Sequence, residues 1–312
     1  MSFLSIRRVS FRTKAILTTL LLMIVCLATW AFVIEPNRLV VTEATIALPG
    51  LPADFEGLRI AAISDLHVGS NFITLDKLGQ VVDRTNALNP DLIVLLGDFV
   101  KNTDSRRAEK RNGLRVRDSV VVAPEVFAQR LSKLHAKLGV FAVLGNHDWA
   151  YDEVKVRSSL EAAGIHFLDN DAVLLQRRNG KVWLVGLGDY FTHHHHITKA
   201  LLAVKDNSPL IAITHSPDIF PELPSRFLFT LAGHTHGGQV DLPILGRLIV
   251  PSNYGARYAS GHIEEDGKHL FVTTGIGTSI IPVRFRVPPE IALITLSVEK
   301  TVRQDELKAM LQ

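Results

Sequence analysis

Short apolar segments that end abruptly in polar residues recur along this chain and constrain its fold more than any other feature. Each has the composition of a buried strand and is followed by aspartate, asparagine or histidine. The polar ends are SDLHVG (Ser64–Gly69), GDF (Gly97–Phe99), GNHDW (Gly145–Trp149), THSPD (Thr214–Asp218) and GHTHGGQ (Gly233–Gln239). In open α/β sheets, the residues beyond the carboxyl ends of strands meet in one crevice. We therefore expect these motifs to converge, although they lie far apart in sequence.

Apolar periodicity alternates between strand and helix in the first half of the chain. The predicted elements are strands at Leu58–Ser64, Leu92–Leu96 and Val140–Leu144, and helices at Thr74–Leu88, Pro124–Leu138 and Asp152–Ala163. This alternation indicates an α/β fold with buried, mainly parallel strands. With 312 residues and 47% hydrophobic content, the chain is long enough for one large core, and no linker divides its main part.

The second half contains short strand patterns with fewer helices between them. The predicted strands are Ala172–Gln176, Val182–Leu187, Leu210–Thr214, Phe227–Ala232, Leu270–Thr274 and Ile291–Ser297. A second sheet with more mixed strand directions is the simplest packing of these segments. Arg284 and Arg286 alternate within what we interpret as a further strand, where both would point to the same face.

An uncharged apolar segment, Ala15–Ile34, is long enough to cross ~30 Å of hydrocarbon as a helix. The residues that precede it carry an unopposed positive charge, from Arg7, Arg8, Arg12 and Lys14. By the positive-inside rule, the N-terminus is expected in the cytoplasm and the rest of the chain on the outer, periplasmic side of the inner (cell) membrane. A cleaved signal peptide is the alternative, but its apolar core would be unusually long and no small-x-small cleavage site is evident.

These features divide the chain into a basic cytoplasmic segment (1–14), a single-pass transmembrane anchor (15–35), a domain (36–300) and a polar C-terminal tail (301–312). The net charge of +3 includes a basic run at Arg106–Arg117 but no basic stripe with aromatics, so no nucleic acid partner is expected. Lys101–Ser119 is predicted to be an exposed insertion, either a solvated loop or a site for anionic lipid or phosphorylated substrate. Cys26 is the single cysteine, which excludes an intrachain disulfide. The oligomeric state stays open.

The residue types in the motifs point to metal chemistry. Carboxylate oxygen and imidazole nitrogen suit borderline divalent cations such as Mn²⁺, Fe²⁺ or Zn²⁺. Two such ions ~3.5–4 Å apart can hold a hydroxide between them and clamp a phosphoryl oxygen. Each motif alone is a weak signal, but the whole set, in this order and each after a strand, is a strong one.

The order D-x-H, GD, GNHD, H, GHxH resembles the signature of the calcineurin-like metallophosphoesterases. The segments LRIAAISDLHVG, VFAVLGNHDW and AGHTHGGQV, together with the C-terminal YASGHIEEDGKHLFVTTGIGTSIIPVRFRVPPEIALITL, are similar to the membrane-associated YkuE/YaeI-type phosphodiesterase subgroup. The resemblance covers roughly Thr42–Ser297. It implies a four-layer αββα sandwich of two mixed β-sheets flanked by helices, here preceded by one N-terminal transmembrane helix.

The resemblance also implies the roles of individual residues. Asp65, His67 and His236 would hold a first metal ion, Asn146, His215 and His234 would hold a second, and Asp98 would bridge both. His147 would face the substrate as the catalytic proton donor, while a hydroxide bridging the metals attacks phosphorus in line. The implied cofactors are two divalent ions, with Mn²⁺ favoured and Fe or Zn as alternatives.

The chain departs from the family at one position. Many relatives extend the second motif to GDxxD, whose later aspartate orients the catalytic histidine, and here Lys101 occupies that position. Asp148 or another carboxylate is left to orient His147. The run His193–His196 is interpreted as a solvated loop or helix start, with a place at the mouth of the site as the alternative. Asp189 follows a predicted strand but is kept out of the ligand set.

The predicted function is therefore a membrane-anchored phosphodiesterase or phosphomonoesterase that acts outside the cytoplasm on a phosphorylated small molecule or lipid. A pyrophosphatase that cleaves a lipid-linked nucleotide such as UDP-2,3-diacylglucosamine is the alternative, and it requires a cytoplasmic domain. A metal-binding scaffold without catalysis is the least favoured alternative, because such proteins typically lose ligands and this chain retains the whole set.

Overall fold

A computed structural model describes residues 10–101, 122–279 and 281–299. The predicted C-terminal tail (301–312), most of the predicted insertion and most of the basic N-terminal segment lie outside the described residues. The bounds of the four predicted parts stay a prediction.

A long apolar helix, α1 (Phe11–Thr29), precedes the sheets. Ser10 caps it, because the Ser10 Oγ accepts a hydrogen bond from the Thr13 backbone N–H at 3.2 Å. The helix continues through a π-helical turn at Trp30–Ile34 and a 3₁₀ turn at Glu35–Asn37. Over Phe11–Asn37 the mean hydropathy reaches 2.5 and only 6% of the most apolar window is buried, so this helix is long and apolar enough to cross a membrane.

The first sheet has six strands in the order β1-β12-β2-β3-β4-β5. These strands are β1 (Val40–Leu48), β2 (Arg59–Ile63), β3 (Leu92–Leu95), β4 (Val140–Ala142), β5 (His166–Phe167) and β12 (Glu290–Val298). Strands β2 to β5 are parallel, and the helices that connect them confirm the predicted alternation. These helices are α2 (Leu75–Ala87), α3 (Pro124–Leu131), α4 (Asn146–Tyr151) and α5 (Glu153–Glu161).

The second sheet also has six strands, in the order β10-β11-β9-β8-β7-β6. The strands are β6 (Asp171–Arg177), β7 (Gly180–Gly186), β8 (Leu210–Ile213), β9 (Phe227–Ala232), β10 (Gly261–Glu265) and β11 (Lys268–Val272), with α6 (Ile197–Leu202) after β7. Strands β7, β8, β9 and β11 are parallel, whereas both edge strands are antiparallel to their neighbours. The prediction of a second, mixed sheet is confirmed.

Alternation along each strand assembles the four layers. In β2, Ile60 and Ala62 belong to the core between the two sheets, whereas Ala61 and Ile63 pack in the core that contains α2, α3 and α5. On the far side, the outer face of the second sheet packs against Ala200 of α6. The αββα sandwich is therefore confirmed.

Three sequence predictions about elements are wrong. Strand β12 was assigned to the second sheet, but it lies in the first, parallel to β1 and antiparallel to β2. Helix α3 ends at Leu131 rather than Leu138, because the chain turns so that the Leu138 N–H reaches the Asp91 carbonyl at 2.8 Å and β4 can lie beside β3. Arg284 and Arg286 are in a loop, where Arg284 is fully buried and Arg286 is exposed.

Candidate active site

The five polar motifs meet where the parallel strands of both sheets end. Asp65 follows β2, Asp98 follows β3, His215 follows β8, and His234 and His236 follow β9. Asn146 and His147 open α4 a few residues after β4. The structure thus brings together all eight residues that the sequence singled out, as the strand topology requires.

The backbone at this edge is strained. Five of the eight residues adopt left-handed φ values, namely Asp65 (54°), His67 (43°), Asp98 (55°), His234 (68°) and His236 (49°). Such conformations cost on the order of 1 kcal/mol or more each and cluster at functional sites. Glycines permit the crowding: a Cβ at Gly145 would collide with the Asp98 carboxylate, and a Cβ at Gly233 would collide with Ser64.

A first cluster of donor atoms surrounds Asp65. The Nε2 atoms of His67 and His236 lie 3.2 Å apart. His236 Nε2 is 3.4 Å from Asp65 Oδ1, and His67 Nε2 is 3.6 Å from Asp98 Oδ2. Ligands of one ion sit ~2.0–2.2 Å from it, so donor atoms this far apart fit around a single divalent cation.

A second cluster centres on His215. Its Nε2 lies 3.1 Å from Asn146 Oδ1 and 3.1 Å from His234 Nδ1. The same Nε2 is 3.4 Å from Asp98 Oδ2, the oxygen that also belongs to the first cluster. Asp98 Oδ2 therefore lies beside both clusters, and Asp65 is also close to His215 as well as to His67 and His236.

Hydrogen bonds to backbone carbonyls orient two of the histidines. His67 Nδ1 lies 3.1 Å from the Val100 carbonyl oxygen, and His215 Nδ1 lies 2.7 Å from the Leu96 carbonyl oxygen. A carbonyl can only accept, so each Nδ1 carries the proton. The Nε2 atoms then point into the clusters, which is the arrangement of metal-ligating histidines.

Electrostatics of the buried site fit a bound cation. Burial lowers the pKa of His236 to about 3 and also lowers the pKa of His67, so both rings are neutral with free lone pairs at pH 7. Asp65 Oδ1 is buried without a hydrogen-bond partner among the described residues. Burial opposes ionisation of Asp98, but His215 and His147 outweigh it and hold the Asp98 pKa well below its usual range. Buried carboxylates of this kind need positive charge beside them.

Asp148 holds the turn that carries Asp98 rather than the ring of His147. Its carboxylate accepts hydrogen bonds from the backbone N–H groups of Asp98 (2.8 Å), Phe99 (2.9 Å), Val100 (3.1 Å) and Gly145 (2.9 Å). Burial and the Asp98 charge raise the pKa of Asp148 to about 8, although the N–H donors act against that rise. Asp148 therefore does not fill the position considered for it behind His147.

His147 stands at the open side of the clusters. Its Nε2 lies 3.7 Å from Asp98 Oδ2, and 13% of its side chain is exposed. Its backbone N–H donates to Asp98 Oδ1 at 2.8 Å, and its ring meets the His67 ring edge-on with centroids 5.0 Å apart. Within residues 10–101, 122–279 and 281–299, no carboxylate hydrogen-bonds the ring of His147.

A loop after β7 lies over the site. His194 stacks on Trp149 with ring centroids 3.6 Å apart, and the exposed Phe191 approaches His234 at 5.4 Å. Asp189 is buried and its Oδ2 accepts from the Thr192 N–H and hydroxyl, both at 2.7 Å. The histidine run forms a loop that ends where α6 begins, with His193 and His196 exposed, which agrees with the predicted solvated loop or helix start, and the ring of His194 stacks on Trp149.

Arg284 is a supporting residue that the sequence did not reveal. Its buried guanidinium donates to the carbonyl oxygens of Thr274, Gly275, Gly277 and Val287. The loop fixed in this way donates back, because the Gly277 N–H reaches the Asp65 carbonyl at 2.7 Å. Arg284 therefore positions the backbone of Asp65 without contacting the donor atoms.

Two mixed sheets with an aspartate, asparagine and histidine cluster at their shared edge define a metal-dependent hydrolase of the α/β class. Residues 58–262 match the family described as Calcineurin-like phosphoesterase, and the chain belongs to that family. Members of this family use a dinuclear divalent metal centre, and the two donor clusters are candidates for its ligands. The chain is thus a metal-dependent phosphoric ester hydrolase.

Named relatives extend the similarity beyond the motifs. The metallophosphoesterase YkuE of Bacillus subtilis is 32% identical, over 86% of this chain and 88% of the relative. The UDP-2,3-diacylglucosamine pyrophosphatase LpxG of Chlamydia trachomatis is 31% identical over 92% of this chain and 98% of the relative. The phosphodiesterase YaeI of Escherichia coli is 29% identical over 76% and 82%.

Proposed function

We propose that this chain is a membrane-anchored phosphoesterase that hydrolyses its substrate with two divalent ions held by the described clusters. The observation that carries this proposal is the position of Asp98 Oδ2, which lies 3.4 Å from His215 Nε2 and 3.6 Å from His67 Nε2. One carboxylate oxygen that lies beside both sets of donor atoms is the arrangement that a pair of cations requires.

Each of the two donor clusters would hold one of the two ions. Asp65, His67 and His236 hold the first ion, Asn146, His215 and His234 hold the second, and Asp98 contributes to both. When bound, the ions supply positive charge for the phosphoryl oxygens and lower the pKa of water. Mixed carboxylate, amide and imidazole donors fit Mn²⁺, which we propose as the resident ion, ahead of Fe or Zn.

His147 acts on the substrate rather than on the ions. It is the most exposed histidine of the cluster and its Nε2 faces the shared Asp98 oxygen at 3.7 Å. From this place it donates a proton to the leaving oxygen as the ester bond breaks, and it stabilises the charge that develops there. The hydrogen bond from its backbone N–H to Asp98 Oδ1 holds the His147 backbone next to the clusters.

Metal-dependent turnover is the test of this function. The full-length protein in detergent is expected to hydrolyse bis-p-nitrophenyl phosphate with Mn²⁺, to lose this activity on dialysis against a chelator, and to recover it when Mn²⁺ returns. Release of p-nitrophenol measures the rate. Activity that survives complete metal removal would contradict the proposal, as would the absence of turnover under every divalent metal tried.

A second candidate function follows from the similarity to LpxG, which covers 98% of that relative. A pyrophosphatase that cleaves a lipid-linked nucleotide would use the same clusters, because hydrolysis of a phosphoanhydride also proceeds by displacement at phosphorus. Nucleotide-linked lipid precursors are made in the cytoplasm, so this candidate requires the catalytic domain on the cytoplasmic side.

Membrane orientation separates the two candidates. We propose that residues 1–14 lie in the cytoplasm, residues 15–35 span the inner membrane, and the catalytic domain (36–300) with the tail (301–312) lies outside, since the positive charge precedes α1. Alkaline phosphatase fused after Gln312 is therefore expected to be active and a fluorescent protein that matures only in the cytoplasm to be dark. The opposite pair of results would favour the pyrophosphatase.

A further inference from the structure

An apolar hairpin projects from the domain just beyond the GHTHGGQ motif. The Leu242 and Gly246 backbones pair in a tight turn, with N–H to carbonyl distances of 3.0 and 2.8 Å. Ile244 stands at its tip, is fully exposed at 105% and has a φ of 72°. A β-branched residue with positive φ is an outlier, and turn tips that face water usually carry glycine, asparagine or aspartate. The apolar composition of this exposed tip therefore suits an apolar surrounding better than water.

Behind the hairpin lies a cavity of about 400 Å³. This volume falls within the ~300–1,000 Å³ that ligand pockets usually have. Most of its wall is apolar, and its lining includes His236, Leu242, Leu248, Ile249, Ile281 and Val283. His236 lines the cavity and also belongs to the first donor cluster, so the cavity adjoins that cluster.

The rim of the cavity leaves large apolar side chains in contact with solvent. Leu248 is 68% exposed and Ile281 is 54% exposed, while Leu245 and Ile249 are exposed beside them. Contiguous apolar patches of this kind on a soluble surface mark sites of interaction with proteins, ligands or membranes. The part of the structure next to the patch indicates which of these partners covers it.

The end of the membrane helix lies beside this patch. The Arg284 N–H donates to the Ala31 carbonyl at 3.0 Å, in the last turn of the apolar span. The residue after Arg284 contacts the strand that enters the hairpin. Phe285 pairs with Val240, and the Asp241 N–H donates to the Phe285 carbonyl at 2.9 Å. Phe32, Val33 and Ile34 of the helix end are also exposed. Backbone contacts thus link the hairpin and the cavity beside it to the end of the apolar helix.

We infer that the hairpin Leu242–Gly246 enters the bilayer and that the cavity receives the hydrocarbon chain of a membrane lipid whose phosphate ester is hydrolysed at the adjacent clusters. This inference rests on the proposed function and on the membrane anchor. It assigns His236 to the junction between the two regions, with the phosphoryl group on one side and the lipid chain on the other. The lipid then reaches the site without leaving the membrane.

Substrates that differ only in chain length test the inference. The full-length protein in lipid nanodiscs is given methyl and decyl p-nitrophenyl phosphate, which share one leaving group. Each methylene that moves from water into an apolar site contributes about fourfold to binding of the transition state. The ratio of kcat/KM for the decyl ester to that for the methyl ester is expected to be at least roughly 100 in the unmodified protein.

Paired substitutions separate binding in the cavity from simple partition into the bilayer. Leu248→Asp and Ile281→Asp place a charge on the cavity wall, and we expect each to lower the decyl-to-methyl ratio by at least roughly tenfold. Leu202→Asp is the matched control, because Leu202 is 71% exposed on α6 and does not line the cavity. All three positions are exposed, so the melting temperatures should stay close to that of the unmodified protein.

The possible results distinguish failure of the lipid inference from failure of the proposed phosphoesterase function. A ratio that is equal in the unmodified protein and in all three variants overturns the inference, while metal-dependent hydrolysis of the methyl ester keeps the proposed function. No metal-dependent hydrolysis of either ester by the unmodified protein overturns the proposed function itself. A low ratio in the two cavity variants alone supports the inference.

Fluorescence quenching gives a second measurement that does not depend on turnover. A nitrobenzoxadiazole label at Ile244→Cys, in a Cys26→Ser background, reports whether the hairpin tip lies among lipid chains. Lipids with a nitroxide on the upper acyl chain are expected to quench this label several-fold more than the same label at Leu202→Cys. Equal quenching at the two positions would contradict insertion of the hairpin.

Discussion

Asp98→Asn is expected to lower kcat/KM for bis-p-nitrophenyl phosphate by roughly 1,000-fold or more. The substitution keeps the size of the side chain but removes the charge and turns one acceptor oxygen into a donor. The loss matters when the amide nitrogen of the new asparagine replaces Oδ2. In the unmodified protein this oxygen lies 3.4 Å from His215 Nε2 and 3.6 Å from His67 Nε2. The bound metal should fall together with the activity, since both clusters lose the same ligand.

The matched control for this change is Asp76→Asn in the first turn of α2. Asp76 is an exposed aspartate that belongs to neither cluster, so its neutralisation should alter neither kcat/KM nor metal content. The metal content of each protein is measured by mass spectrometry of the digested sample. An Asp98→Asn protein that retains two ions and full turnover would show that this carboxylate is not shared between them.

His147→Ala is expected to lower kcat for a phenyl or alkyl phosphate ester by about 100- to 10,000-fold while the metal content stays unchanged. The reason is that His147 supplies a proton and not a metal ligand. Its loss should therefore matter most for esters whose leaving oxygen is strongly basic. We expect a small loss for a p-nitrophenyl ester and a loss at least roughly tenfold larger for a phenyl or alkyl ester measured under the same conditions.

The competing role for His147 is that of a ligand, because its ring nitrogen lies near the donor atoms of His67 and Asp98. A ligand role predicts equal losses for every leaving group and a loss of metal. His135→Ala is the control, since His135 is exposed in the turn after α3 and should show neither effect. Measuring kcat over a series of phenols with different pKa values distinguishes the two roles.

Most of the site was predictable from sequence because of one topological rule. Parallel strands end at the same edge of a sheet, so Asp65, Asp98 and His215 had to lie close together once each was recognised after a buried strand. Local patterns also sufficed for the second sheet, where β7, β8 and β9 match apolar runs that can be recognised without knowledge of their partners.

The sequence failed where a structure depends on contacts between distant segments. Strand β12 belongs to the first sheet because its backbone pairs with β1 from Val40↔Glu290 to Leu48↔Val298. No periodicity within β12 specifies which sheet it joins. Arg284 presents the same problem, since its buried charge is satisfied by carbonyl groups that only the folded loop brings together. Local sequence could not reveal either of these contacts.

The support behind His147 differs from what the family pattern suggests. Lys101 stands where relatives carry an aspartate, and Asp148 is engaged with four backbone N–H groups. These contacts make Asp148 a positioning residue for Asp98. The aspartate of the GNHDW motif therefore supports the metal clusters and does not take part in proton transfer by His147. The orientation of His147 depends instead on its backbone bond to Asp98 and on its edge-on contact with His67.

Electron paramagnetic resonance of the full-length protein loaded with Mn²⁺ tests the two-metal claim most directly. At two ions per chain, we expect the spectrum of an exchange-coupled Mn²⁺ pair, because a shared Asp98 oxygen holds the ions close together. The coupled spectrum should disappear in Asp98→Asn. Saturation at one ion per chain, or two ions that give only the spectrum of magnetically isolated Mn²⁺, would contradict a dinuclear centre at this site.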